Sequence, residues 1–228
     1  MADNLFERLK AETTDDWQAY VDHEFVRRLG DGSLPEAAFR HYLIQDYLFL
    51  IQFARAYALA VYKSDTLADM RAAAAAISGI LDTEMQLHVE FCADWGLTEQ
   101  QMEASPEDNA NMAYTRYVLE KGHAGDILDL HVALSPCVIG YGEIGAKLAA
   151  HGPVPGNPYQ AWIDMYAGED YQSVAAAANE TIDRLAASRL TEARYRSLVQ
   201  TFAQATRLEA AFWAMGLEQS SVSFTRPA

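Results

Sequence analysis

Apolar residues recur three and four positions apart along almost the whole chain, with charged residues between them, and that spacing predicts helices nearly throughout. Leu5, Leu9, Trp17, Tyr20 and Val21 follow it, so residues 3–22 are expected to form one amphipathic helix. A short segment around His23 to Leu29 leads into Gly30-Asp31-Gly32-Ser33, a turn by composition. Ser33-Leu34-Pro35-Glu36 reads as a capping box with proline near the first turn, and a long helix is expected from there to Lys63. Within it Tyr42, Asp46 and Phe49 fall at i, i+4 and i+7, which sets one carboxylate on an otherwise aromatic face.

A second long helix is expected from about Leu67 to Trp95, through the alanine-rich run Ala72 to Ile77, stopping at Gly96. It places Glu84 and His88 at i and i+4. Thr98-Glu99-Gln100-Gln101 is another capping box, and Ser105-Pro106-Glu107-Asp108 opens a helix that carries Tyr114 and Tyr117 and ends at Gly122. From Gly125 to about Ala150 a further helix contains Pro136 and Cys137, and Gly152 to Pro158 is a hard stop. Helices over 158–167, over about 171–187 and from Thr191 to Gly216 complete the pattern. No convincing strand alternation and no fixed repeat is found, so the fold class is all-α: a single bundle-like domain over 1–219, with a frayed tail over 220–228.

Composition narrows the function. With 17 basic and 32 acidic residues the formal charge is −15, which argues against nucleic acid and anionic membrane as partners. Two cysteines, Cys92 and Cys137, are too few for a disulfide framework and suit a reducing compartment. The N-terminus lacks the pattern of a signal peptide. The apolar stretches are interrupted by charge before reaching the length of a membrane span, so a soluble, cytoplasmic protein is expected.

The candidate chemistry centres on Leu134-Ser135-Pro136-Cys137-Val138-Ile139-Gly140-Tyr141. A proline inside a helix removes a backbone donor and is expected to bend or break it, freeing groups that a ligand can use. Cys137 and Tyr141 then share one helical face. In the last helix Glu209 lies between Leu208 and Ala210, just before Phe212 and Trp213, and burial there would raise its pKa towards values useful for a general acid. Asp46 poses the same question. A lone cysteine is more often structural, a lone carboxylate more often finds a basic partner or water, and Tyr42, Tyr47 and Tyr117 read as core aromatics.

These stretches together resemble the TenA family, the type II thiaminases or aminopyrimidine aminohydrolases. Gly30-Asp31-Gly32-Ser33-Leu34-Pro35 and Tyr42-Leu43-Ile44-Gln45-Asp46-Tyr47 resemble its N-terminal signature. Pro136-Cys137 with Tyr141, Tyr159-Gln160-Ala161-Trp162-Ile163 with Tyr166, and Leu208-Glu209-Ala210-Ala211-Phe212-Trp213 follow in the family's order, covering roughly residues 5–217. The resemblance implies a haem-oxygenase-like helical fold, usually tetrameric, that binds an aminopyrimidine or thiamin without haem, metal or other cofactor. It implies Cys137 as nucleophile and Glu209 as acid/base. Asp46 would hold the aminopyrimidine edge, Tyr141 would flank the ring, Tyr166 would lie beside Glu209, and Tyr114 would complete the pocket wall. The family commonly has a tyrosine where this chain has Phe49, which can cover a ring but cannot donate to a thiolate; activation of the cysteine would then come from elsewhere, such as free backbone donors near Pro136.

Two other classes remain open. A di-iron oxidase is suggested by Glu84 and His88, but the spacing is Glu-x-x-x-His and no histidine follows His151. A non-catalytic binding or regulatory protein is the third, disfavoured by Cys137 and Glu209 occurring together.

Overall fold

Where apolar residues repeat at helical spacing the computed structural model has helices, and among the described residues, 4–218, it has no strand. The tail expected over 220–228 lies outside the described residues.

The first expected helix is two: α1 (Leu5–Glu12) and α2 (Thr14–Val21). They part at Thr13, whose hydroxyl donates back to the Leu9 carbonyl at 2.9 Å, the kind of local bond by which threonine competes with a helical ladder. The segment after His23 is itself helical, α3 (Glu24–Asp31), and closes at Gly32 with φ 78°, a left-handed conformation that favours glycine. The capping box expected at Ser33 does not form. The Ser33 amide is bound by Asp31 Oδ1 at 2.8 Å, and α4 (Glu36–Lys63) starts directly behind Pro35 with no side-chain cap.

At the centre of α4, residues 45–50 are buried on every side, the mark of a helix that runs through a core instead of over it. Its Gln45 holds the next part of the chain in register. The Gln45 side chain donates to the Pro106 carbonyl at 2.9 Å and accepts from the Asp108 amide at 2.9 Å, while Asn111 donates to the Gln45 carbonyl at 2.8 Å.

The second long rod is continuous but not uniform. It comprises α5 (Leu67–Ser78), a π-helical turn over Gly79–Glu84 and α6 (Met85–Asp94). Then come α7 (Glu99–Glu103), with the expected Thr98–Gln101 capping box formed, and α8 (Asn109–Ala124). α8 passes through Gly122, where a helix end was expected, because a Cβ there would stand 2.6 Å from Leu59 and the glycine serves packing.

α9 (Ile127–Ala150) starts at a reciprocal Asp126–Asp129 capping box, which Arg194 grips through both carboxylates at 2.8–2.9 Å. Contrary to expectation, Pro136 does not break it. The carbonyl that the missing Pro136 amide leaves free is that of Val132, and the Ser135 hydroxyl takes it at 2.9 Å. By length and composition α9 could also cross a membrane, which charge interruptions seemed to rule out; 72% of its apolar window is buried inside the protein.

After a Gly-Pro turn, α10 (Gln160–Ala167), α11 (Glu169–Arg189) and α12 (Glu192–Glu218) close the bundle. The Arg194 amide is held by Thr191 Oγ1 at 3.3 Å, as expected of a cap. Leu198, Phe202, Ala205, Glu209, Phe212, Trp213 and Gly216 form the buried stripe of α12 at helical spacing, so the same phase that buries the aromatics carries Glu209 inward.

Close approach of α10 to α9 depends on Gly145, whose absent Cβ would lie 2.5 Å from the Tyr166 carbonyl carbon and 2.8 Å from the Ala167 amide. Alanine would gain about 1 kcal/mol of helix propensity there. The atoms it meets are backbone, however, and cannot rotate away, so overpacking at about 1–3 kcal/mol prevails. Gly145→Ala should therefore lower the urea midpoint at unchanged m; a rise would show that the helices can separate freely.

Candidate active site

Asp46 reaches the interior from α4 and is 3% exposed. Its Oδ2 accepts from the Tyr42 hydroxyl at 2.9 Å and lies 2.7 Å from His88 Nε2. His88 Nδ1 faces the main-chain oxygen of Glu84 at 2.8 Å, an atom that only accepts, so Nδ1 carries a proton. A second proton must then sit between Nε2 and Oδ2. Burial alone would lower the His88 pKa, but the Asp46 carboxylate outweighs it and raises it. The buried partner of Asp46 is thus a histidine rather than lysine or arginine. Tyr42, expected as core, belongs to this array: it also accepts from Trp162 Nε1 at 3.2 Å and lies 3.5 Å from the Tyr141 hydroxyl.

Glu209 enters from α12. The Tyr114 hydroxyl donates to its Oε1 at 2.8 Å, and the Cys137 thiol is near enough for each group to influence the other's pKa. Burial is the largest influence on Glu209 and pushes its pKa up to about 8, so it is a neutral acid at pH 7.

Cys137 is pushed far above its ordinary value, first by burial and then by Glu209, Glu84 and Asp46. That corrects the expectation of a thiol activated by backbone donors. The helix is intact around Pro136, whose carbonyl accepts from the Tyr20 hydroxyl at 3.1 Å, and carboxyl groups surround the sulfur. Cys137 is a neutral thiol until a neighbouring base takes its proton.

Tyr166, expected to lie beside Glu209, donates its hydroxyl to Glu84 Oε1 at 2.7 Å. Glu84, at the end of the π-helical turn, is pushed up to about 7, mainly by burial. Tyr141 packs between Tyr166, ring centroids 4.9 Å apart, and Trp213, 5.3 Å apart. Phe49 lies against Tyr114 at 5.2 Å and Phe53 at 5.0 Å, so it backs the tyrosine that holds Glu209.

A cavity of about 830 Å³ opens beside this cluster. Of the expected site residues Cys137 alone lines it, and Asp46, Phe49, Tyr114, Tyr141, Tyr166 and Glu209 are buried. Its walls include Ala72, Ala73, Ala75 and Ala76 of α5 and Ala177 and Ala178 of α11, whose small side chains leave the space. Glu84, Tyr57 and Tyr171 line it too.

Among the missed residues, Tyr42 carried a signal in its i, i+4 spacing with Asp46, and Glu84 and His88 carried one in theirs. The partner of His88 on another helix carried none. Among the described residues no group of three or more His, Cys, Asp or Glu side chains could hold a metal ion, so the di-iron reading has no ligand set there.

With that geometry in place, comparison with known proteins gives consistent results. The family model described as TENA/THI-4/PQQC matches residues 10–219. An uncharacterized protein of Haemophilus influenzae is 42% identical over 94% of this chain and 99% of its own. The aminopyrimidine aminohydrolase of Halalkalibacterium halodurans is 33% identical over 89% of this chain and 91% of its own. A crystal structure described as a TenA family transcription regulator from Silicibacter superposes with a TM-score of 0.89 at 46% identity, covering 93% of this chain and 96% of that one. A Shewanella denitrificans domain with a heme oxygenase-like fold superposes at 0.75 with 14% identity over 98% of each chain, which shows the fold alone.

Glu84 and Glu209 hold their protons in the native state to about 7 and about 8, against 4.5 for a free side chain. Over that interval the native state binds more protons than the unfolded chain. Their contribution to stability is therefore complete below 4.5 and lost as pH rises through 7 to 8. The urea midpoint should fall from pH 5 to pH 8.5, and more shallowly in Glu209→Gln, which is neutral throughout. Equal slopes in the two proteins would contradict the raised Glu209 pKa.

Proposed function

This chain belongs to the TENA/THI-4/PQQC family, and we propose that it is a hydrolase of thiamin metabolism that cleaves the exocyclic C–N bond of 4-amino-5-aminomethyl-2-methylpyrimidine. Hydroxymethyl pyrimidine is the product, and thiamin is a slower substrate. The single observation that carries the proposal is a thiol paired with a neutral buried carboxyl, Cys137 with Glu209, at the edge of a cavity. The 33% identical aminopyrimidine aminohydrolase of Halalkalibacterium halodurans supports it. One unit over 1–219, a tetrameric assembly and a cytoplasmic location are part of the same proposal.

The roles follow from chemistry. A 4-aminopyrimidine presents an amidine-like edge, and Asp46, held at Oδ2 by Tyr42 and His88, keeps Oδ1 for it. Tyr141 covers the flat face of the ring, with Phe49 supporting Tyr114 behind. Glu209 passes its proton to a ring nitrogen and, now a carboxylate, accepts the proton of Cys137 as sulfur bonds to an electron-poor ring carbon. The electron pair returns through the ring to the exocyclic carbon and expels the amine with its bonding pair. The departing nitrogen takes the proton that Glu209 received from Cys137, water adds to the exocyclic methylene with the Glu209 carboxylate as base, and sulfur leaves as the ring nitrogen returns its proton to the thiolate and the ring regains aromaticity.

One observation favours a second reading, a binding or regulatory protein: the 46% identical crystal structure is described as a transcription regulator. The same assay separates the two. Wild type should release ammonia from the aminomethyl pyrimidine and, more slowly, thiazole from thiamin. Glu209→Gln should lose about 10²–10⁴ in kcat and Cys137→Ser at least as much. Tight pyrimidine binding by wild type without turnover would sink the hydrolase and favour the regulator.

A further inference from the structure

Behind the thiol the carboxyls are accounted for: Asp46 by His88 and Tyr42, Glu209 by Tyr114 and Cys137. Glu84 differs. Its carboxyl lines the same cavity wall as Cys137 and takes one hydroxyl, that of Tyr166, on Oε1 at 2.7 Å. It enters no ion pair with lysine, arginine or histidine among the described residues. The neighbouring imidazolium, His88, is turned to Asp46 and meets Glu84 only at its main-chain oxygen. The other carboxylate on the α5 wall, Asp69, is engaged by Arg184 at 2.6 Å.

The π-helical turn gives Glu84 this position. It is the last residue of Gly79–Glu84, and both Thr83 and Glu84 reach the cavity wall there. Wide turns of this kind recur at functional sites. Tyr166 holds the carboxyl against the wall, and Tyr166 is in turn seated by the approach of α10 to α9 at Gly145. Of the basic side chains that line the cavity, Arg184 is paired with Asp69 and His131 is kept neutral by burial, so the Glu84 carboxyl, with one hydroxyl donor, is left to be completed by a cation brought by the ligand.

We propose that Glu84 is the specificity-determining residue for the leaving group: its carboxylate receives the positive nitrogen of the substrate, an ammonium or a quaternary azolium, and so favours charged over neutral leaving groups. This rests on the hydrolase reading above. Cys137 and Glu84 line one cavity and the Glu84 carboxyl is near enough to raise the thiol's pKa, so a ring bonded to the sulfur has room for its 5-substituent in the cavity that Glu84 lines. An aminopyrimidine fills only part of about 830 Å³, which leaves room for a leaving group as large as a thiazolium. In the ammonium case the breaking C–N bond gives its electron pair to nitrogen, and neutral ammonia departs with the three hydrogens it already carries. Glu84 thus supplies charge stabilisation of the bound cation and need not transfer a proton.

The test compares three substrates with one ring: the aminomethyl pyrimidine, charged at neutral pH; its N-formyl derivative, neutral; and thiamin, a fixed cation. In wild type kcat/KM should favour both cations over the formyl compound. Glu84→Gln keeps an acceptor for the Tyr166 hydroxyl and removes the charge. It should lower kcat/KM for the cations by roughly 30-fold or more and leave the formyl compound within about threefold, collapsing the ratio. Glu84→Asp should retain a preference for cations at reduced rate. An equal loss on all three substrates, or an unchanged ratio, in folded protein overturns the proposal while leaving the hydrolase reading intact. Absence of turnover by wild type overturns the hydrolase reading instead, and equilibrium binding of the ammonium and formyl pyrimidines then decides. A charge preference that disappears in Glu84→Gln upholds the role of Glu84, and binding indifferent to charge overturns it.

Discussion

Keeping carboxyl groups in a nearly dry interior without basic side chains to neutralise them is the constraint on which this site depends. Burial disfavours their charged forms, and the protein meets that cost with tyrosine hydroxyls, one histidine and retained protons. Asp46 is held by His88 and Tyr42, whereas Glu209 and Glu84 have tyrosine donors and hold their protons to about 8 and about 7. A thiol among such groups stays protonated, and in the proposed mechanism its activation waits for a substrate that draws a proton from Glu209.

The helices are arranged to hold that cluster. The phase of α12 turns Glu209 inward between Ala205 and Phe212, and the all-round burial of α4 does the same for Asp46. Gln45 fixes the start of α8 and, one turn on, the position of Tyr114. α9 stays continuous through Pro136, where Ser135 takes the Val132 carbonyl and Tyr20 packs against Gly140, at which a Cβ would stand 2.5 Å from its ring. Small residues do two opposite jobs: glycines let helices touch, and the alanines of α5 and α11 keep them apart enough for a cavity.

Most of the helical pattern was legible because burial follows the 3.6-residue period, as the α4, α9 and α12 spans attest. Errors came where a local side-chain bond overrode the pattern. Thr13 splits the first helix, Asp31 captures the amide next to the expected Ser33 cap, and Ser135 rescues the helix that Pro136 was expected to break. At the site, Asp46, Cys137 and Glu209 stood out as chemistry on apolar faces, and the structure brings them together. The pairing of Tyr166 with Glu84 could not be read, since it joins residues 82 apart in the chain. Nor could the meaning of the Ala72 to Ile77 run, which reads as good helix former and serves as a cavity wall.

The central claim, that Glu209 is held as a neutral acid beside a protonated thiol, is tested most directly by infrared difference spectroscopy across pH on wild type and Glu209→Gln. A protonated-carboxyl band that disappears near pH 8 in wild type and is absent from the variant is the expected result. A Glu209 carboxyl that ionises in the ordinary range near 4.5 would contradict the account.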